Sequence, residues 1–598
     1  MLEGHTGSMS PMSTLKETLN RLTVDQLKAL MAWLPEAPRA GRKDELVERI
    51  QQNLSGDKLH ALWDRLDELQ RLAVAETAHS PEGVFQPGRF RAKYGRLPNF
   101  VVTDKRHAYG LGYGPPTALA LFLYAEDDQR RLPGDLQERL RTFVPTPAAV
   151  TLRSRVHLED ETLVVRHCER EALADLPVLL RLVDQGKVQT SDKTALPGAA
   201  TQRLLAERLS GGDFYPERPR QHRWEQEIGP IKGLAWPMLL QAGGLTQRNG
   251  MTLALSPAGL KALSSPPAAV LCQLWSRWLK SRLLDEFSRI DVIKGQKAKG
   301  RVLTAVAPRR AAIADALECC PADAWVDVDD FSCFMQATDR GFEVAHDPWK
   351  LYLAEPEYGS LGHQGSHDWH ILQLRYLLCF LFEYAAPLGL IDVAYREPTA
   401  RRDYGDMWGA DDLQFLSRYD GLACFRLTPL GAHCLELSPD YAPAPVRTTV
   451  RLSVLPSLRV NVVGGELMPE ESLILEDWAE RTADGSWRLD RVKALTAIEK
   501  GHEIAALSAF LEARDDQPLP EAVESFIKTC NQHGKALKLV GTALLIECLD
   551  AETAALIATH KETSGLCLRA GERHLVVRLE HEAKFRTVIR ILGFGLVT

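Results

Sequence analysis

The sequence predicts a mainly α-helical protein of several domains, with small β wings along its middle and an α+β region at its C-terminal end. Three observations carry that class. A chain of 598 residues, 45% of them hydrophobic, exceeds what one core holds. Single cores stop growing near about 250 residues, so roughly three to five domains are expected. The strand-turn-helix punctuation "LALSPAGLKAL" at 253–263 returns as "FRLTPLGAHCL" at 425–435, with the two glycines 172 residues apart. After residue 450, helical periodicity gives way to strand, helix and hairpin patterns.

Composition narrows the partners. Charged residues make up 25% of the chain and the net charge is -7. That balance is ordinary for a globular protein and excludes both a uniformly basic nucleic-acid coat and an acidic disordered tail. Any polyanion-binding surface is therefore local. Eleven cysteines sit mostly in apolar runs such as "LLCFLF" and never form C-x-x-C, the pattern of buried thiols in a reducing cytoplasm. No apolar stretch reaches about 18 residues and no signal-peptide pattern opens the chain, so a cytoplasmic location without membrane contact is expected. Residues 1–9, "MLEGHTGSM", read as a scar of expression and are set aside.

In region 10–55, residues 22–54 form two short helices. Thr23 with Gln26 makes a capping box, followed at helical spacing by Leu27, Leu30, Met31 and Leu34. After Gly41 the stripe returns as Leu46, Val47, Ile50 and Leu54. With "GRKDELV" opening its second helix, the pair resembles the SAP module, a DNA-binding helix-extended-helix. The resemblance puts Arg42 and Lys43 at the phosphate backbone, where helix amides and cations both favour an anion. A plain helical hairpin with solvated charges is the alternative. Region 56–150 reads as helical and winged-helix-like. Its basic run at 88–98, with Arg89, Arg91, Lys93 and Arg96, reads as a solvated face beside Phe90 and Tyr94.

The segment 171–209 runs helix, Gly186 stop, strand "KVQTS" and a Pro-started helix. Further on, each copy of the repeated motif follows a helix that ends at Gly and two strands. The Ser or Thr hydroxyl caps the new helix, Pro at its first position lacks an N–H that would go unpaired, and Gly259 or Gly431 lets two backbones approach. A helix followed by such a ribbon resembles the tail of a winged helix. One such domain is expected at 151–265 and more within 266–445, and 171–209 suggests a third unit. Helix 198–209, with Gln202 and Arg203 and the flanking Lys187 and Lys193, is then the candidate to reach a DNA groove.

The most basic part of the chain is 277–310, with ten Lys and Arg against three acids, a net +7 in a negative protein. Arg289, Lys294, Lys297, Lys299, Arg301, Arg309 and Arg310 are its candidate phosphate ligands, and the glycines of "KGQKAKGR" suit a loop lying along a phosphate track. If roughly six to eight phosphates are contacted, affinity falls about a thousandfold or more between about 50 and 200 mM salt. A solvated linker is the alternative.

Region 446–598 reads as strand, Gly/Pro-punctuated helices, then strand, helix, hairpin and helix. Its "LRVNV", "LILEDWAER", "WRLDRVKALTAIEKGHEIAALSAFL", "LPEAVESFI" and "ALLIECLDAETAALI" resemble the helicase-associated domain of XPB-type DNA helicases. No G-x-x-x-x-G-K-[ST] occurs anywhere, so the resemblance implies the accessory, DNA-engaging part of such systems without a motor. The expected role is a non-catalytic DNA-binding accessory protein, without metal or cofactor, that serves a helicase or nuclease in DNA repair or in defence against foreign DNA. A winged-helix transcription regulator and a metal-dependent nuclease are the alternatives. The nuclease would draw on His363, His367, Asp368 and His370, or on Asp411, Asp412, Ser417, Arg418 and Asp420. Winged helices that dock other proteins without touching DNA are a further reading.

Overall fold

A computed structural model describes residues 13–35, 41–102, 114–126, 129–218, 222, 225–362, 369–400, 408–411, 413–443 and 450–597. Helices dominate, and strands occur in small antiparallel sheets. Two compact units divide the chain at residue 447. Among the described residues, no helix is long and apolar enough to cross a membrane.

The first unit begins with helices Leu15–Arg21, Val24–Met31 and Lys43–Asn53. Thr23 and Gln26 cap the second of these reciprocally, at 3.3 and 2.8 Å. Its apolar stripe and that of the third helix are buried, but they enclose no core of their own. Leu27, Leu46 and Ile50 belong to one cluster that continues through Phe122, Leu136 and Val144. Three helices of 7, 8 and 11 residues have too little apolar surface to close a core alone.

Three stretches of the first unit share one topology: a helix, a short strand, two further helices, and a hairpin whose second strand pairs with the short strand. In the first stretch, helix Glu68–His79, strand Val84–Phe85, helix Pro87–Tyr94 and the 3-10 turn Ala118–Leu121 precede hairpin Tyr124–Glu126 and Gln129–Arg131, whose second strand pairs with Val84–Phe85. In the second, helices Cys168–Asp184, Ala199–Arg208 and Lys232–Ala242 precede hairpin Thr246–Asn249 and Thr252–Leu255, and Gln189 bridges to Thr252. In the third, helices Val306–Leu317 and Val328–Ala337 and the helical stretch 369–385 precede strands Ile391–Tyr395 and Leu422–Leu427, with Trp325–Asp327 pairing onto the latter. The segment 171–209 is therefore no unit of its own. It is the front half of the copy that ends in "LALSPAGLKAL", and the remaining copy lies upstream at 68–131, where no Ser/Thr-Pro-x-Gly motif marks it.

The repeated motif makes the same lock twice. Ser256 Oγ donates to Gly244 O at 2.7 Å and accepts from Gly259 N at 3.1 Å, while Ser256 N donates to Leu245 O. Thr428 Oγ1 donates to Gly389 O at 2.7 Å and accepts from Gly431 N at 2.9 Å, while Thr428 N donates to Leu390 O. A Cβ on Gly259 would collide with Leu245 O, and one on Gly431 with Leu390 O. Gly244 and Gly389 end the preceding helices at φ +69 and +77, a conformation glycine adopts without strain.

Two expectations about cysteine are corrected. Cys272 and Cys434 are disulfide-bonded, their Cα atoms 4.8 Å apart, because helices Pro267–Lys280 and Pro429–Cys434 pack together across 162 residues of sequence. Cys319 is exposed rather than buried.

The second unit holds two cores. Strands Arg451–Val454, Arg459–Val463, Trp487–Leu489 and Ala479–Arg481 form one sheet in that order, packed with helices through Trp478, Trp487, Leu507 and Val523. The other core carries strand Ala543–Glu547, helix Ala551–Thr559, hairpin Cys567–Arg569 and His574–Arg578, and helix Glu582–Ile591. Residues 535–542 join them, with Leu537 and Leu539 over nine-tenths exposed.

Candidate nucleic-acid interface

The basic segment divides by the company its cations keep. Arg289 donates to both carboxylate oxygens of Glu383 at 2.9–3.2 Å. Glu383 is fully buried and also accepts from the hydroxyls of Tyr384 and Tyr419. Burial works against the Arg289 charge, yet the Glu383 carboxylate outweighs it and holds the guanidinium well above its ordinary pKa. Arg310 lies fully buried over the Trp278 ring at 4.2 Å and donates to Glu286 at 2.6 and 3.1 Å. Arg309, also buried, makes a two-pronged pair with Asp285 at 2.9 and 2.8 Å. These three arginines are corrected from phosphate ligands to internal cations. Arginine suits that place because its planar fork meets a carboxylate with two parallel bonds.

What stays outside is Arg277, Lys280 and Arg282 around the end of helix Pro267–Lys280, and a loop in which Lys294, Lys297, Lys299 and Arg301 are exposed. The loop does not hang free as a linker. Lys294 exchanges both backbone hydrogen bonds with Tyr352, at 2.8 and 3.3 Å, and Tyr352 faces Ser360 across a second bridge. Leu361 N donates to Leu351 O and Leu353 N to Gly359 O, closing hairpin 351–361. Gly295 turns at φ +82 where a Cβ would strike Lys350 O, so the loop can rest against the hairpin only through glycine. Lys350, exposed and paired with Asp347 at 3.1 Å, reaches Lys299 O at 3.4 Å. Lys350 is thus a fifth cation of the cluster. Its clue in the sequence is the cation-aromatic run "WKLY" at 349–352, unreadable as a partner until the fold pairs it with residue 294.

The other predicted residues are scattered. Lys193 is exposed in the turn before helix Ala199–Arg208, beside Arg248, which donates to Asp192 O at 2.7 Å. Lys187 is exposed just before the short strand. Gln202 is half-buried, its amide donating to Pro197 O at 2.8 Å, and exposed Arg203 pairs with Glu217 at 3.3 Å. Helix 199–208 is the middle one of its copy. In the second and third copies the helix that precedes the hairpin is enclosed: every residue from Lys232 to Leu240 and from Ile371 to Ala385 is buried. In the head, Arg42 is exposed, whereas Lys43 Nζ donates to Asn20 O at 2.7 Å and Glu45 accepts from the Arg42 amide. Those contacts occupy groups that a phosphate would use.

The run 88–98 does not face solvent throughout. Helix Pro87–Tyr94 packs on Val328–Ala337, with Gly88 against Gln336, Arg89 paired to Asp339 at 3.0 Å and Lys93 to Glu76 at 2.6 Å. Of the metal candidates, His363, His367, Asp368 and Asp412 lie outside the described residues. His370 and Asp411 are exposed. Asp420 is buried, accepts from Ser417 Oγ at 2.6 Å and from the amides of Leu416 and Ser417, and forms an ion pair with Arg375 at 3.1 Å. Arg418 pairs with Asp291 at 2.8 Å. These groups lock a turn before strand Leu422–Leu427. No family model matches the chain, and no curated protein matches it.

Proposed function

We propose that this protein is a non-catalytic DNA-binding accessory protein whose principal phosphate contact is the loop 294–301 together with Lys350. The observation that carries the reading is the gathering of five exposed cations on one glycine-turned loop and its neighbouring hairpin in a chain of net charge -7. A local positive field of this kind attracts a polyanion and releases its counterions. The helix-strand-helix-helix-hairpin order supports winged-helix domains, and the head's capping box and apolar stripe support a SAP-like element with Arg42 at its rim. The enclosed helices before the second and third hairpins favour winged helices that build the scaffold, leaving loops rather than groove-inserted helices to meet DNA. By the resemblance of the second unit, a helicase or nuclease in DNA repair or in defence against foreign DNA is the proposed partner.

Binding of a labelled duplex across a salt series tests this. Five neutralised phosphates give a slope of about -4.5 in log affinity against log salt, a loss of several hundredfold between about 50 and 200 mM. Charge reversal at Lys297, Lys299 and Arg301 abolishes most of that slope. A wild-type affinity indifferent to salt, or a triple variant that binds duplex unchanged, overturns the proposal.

A further inference from the structure

The geometry points to unpaired nucleotides as the ligand of the ribbon beside this loop, a specificity that rests on the loop's reading as a phosphate site. Directly opposed residues of antiparallel strands project to the same face, and residues two apart share it. Lys294, Tyr352 and Ser360 are opposed in turn and share a face, and along the chain they are flanked by exposed Lys350, at the end of the 3-10 turn Pro348–Lys350, and by exposed Tyr358, in the hairpin turn. Leu351, Leu353 and Leu361 take the other face and are buried. The hairpin thus has a cation at its base, Lys350 beside Lys299, and an exposed aromatic ring at its turn, Tyr358.

Tyr358 is 60% exposed, and Trp408, 62% exposed, stands beside it with ring centroids 5.9 Å apart. Two large aromatic rings side by side in water give up apolar surface that a core would bury. A purine or pyrimidine offers such rings a face of matching size and polarity, and a stacked base loses little when its sequence changes. In duplex DNA those faces are already stacked on their neighbours, so only a splayed or single strand can use this platform. Glu355 and Glu357 are exposed at the hairpin turn, which keeps the phosphate path on the loop side, at Lys294, Lys350 and the 297–301 cations, with bases directed to Tyr358 and Trp408.

Anisotropy titrations of the full chain with labelled oligo-dT, oligo-rU and a duplex of equal length test the assignment. Y358A and W408A are each expected to weaken oligo-dT binding about tenfold, to leave duplex binding unchanged, and to leave the salt slope unchanged because no charge is removed. Y358F retains wild-type affinity. Oligo-dT affinity untouched by either alanine, while K297E/K299E/R301E still loses both single-stranded and duplex binding, overturns the stacking platform and leaves the phosphate loop standing. Failure of the charge variant to alter any binding overturns the loop as well. Equal loss of dT and rU binding on Y358A supports a platform indifferent to the sugar, and loss of duplex binding by the same factor overturns the preference for unpaired bases.

Discussion

At the residue scale, cations of equal charge have opposite roles according to their burial. Arg310→Ala strands the buried Glu286 carboxylate, which also accepts from Tyr376 and Trp278 at 2.9 and 3.1 Å. Removing one partner of a buried pair costs about 3–5 kcal/mol, so chemical denaturation of this variant shows a large drop in the first unit's stability. Lys299→Ala, on the exposed loop, shifts stability by less than about 0.5 kcal/mol while weakening DNA binding and lowering the salt slope by about one. Acid reaches a different residue. Asp484 accepts from Thr482, Ser486 and the Ser486 amide, and those bonds hold its carboxyl at about 2. A depressed folded value gives stability that is complete above the ordinary aspartate range and is lost as pH falls toward about 2. Asp484→Asn flattens the second unit's unfolding midpoint over that acid window. The sequence announced the charge of each residue but not its burial, since "AVAPRR" and "KAKGR" are both basic strings without acids.

At the element scale, the locks at Ser256 and Thr428 close the hairpin onto the helix before it. Gly431→Ala forces a methyl against Leu390 O, and such overpacking costs about 1–3 kcal/mol. Thermal melts check this against Gly565→Ala, where nothing lies within contact distance and near neutrality is expected. The locks were legible because their parts are adjacent in sequence: a hydroxyl, a proline and a glycine within four positions. The capping box of the head and the strand-helix-hairpin-helix order of 543–591 were legible for the same reason. The copy at 68–131 was hidden because "RRLPGD" leaves its hairpin through Leu-Pro-Gly without a Ser or Thr. By its sequence, segment 171–209 suggests a separate unit, because the short strand at 188–190 acquires its meaning only by pairing with residues 251–253.

At the scale of the whole molecule, long-range closure matters most. The Cys272–Cys434 disulfide closes a loop of 162 residues, for which the chain-entropy estimate gives about 5 kcal/mol of stabilisation. Reductant, or the double serine variant, should lower the first unit's unfolding midpoint in calorimetry and leave the second unit's transition in place. An unchanged first transition would remove the bridge from the account of stability. The head adds a related lesson, for its apolar stripes were plain in the sequence while their shared core with residues 59–144 was not.

The sequence by itself determined the helical class, the caps, the twice-used lock, the element order of the C-terminal region and the concentration of positive charge at 277–310. All of these are written in periodicity and in residues a few positions apart, where backbone sterics and hydrogen bonding act locally. Only the tertiary structure decided that Arg289, Arg309 and Arg310 turn inward to carboxylates, that Lys350 and two exposed rings join the loop 294–301, and that Cys272 meets Cys434. Each of those outcomes depends on which distant segment displaces water from a side chain, and displacement of water is a property of packed surfaces that no local string encodes.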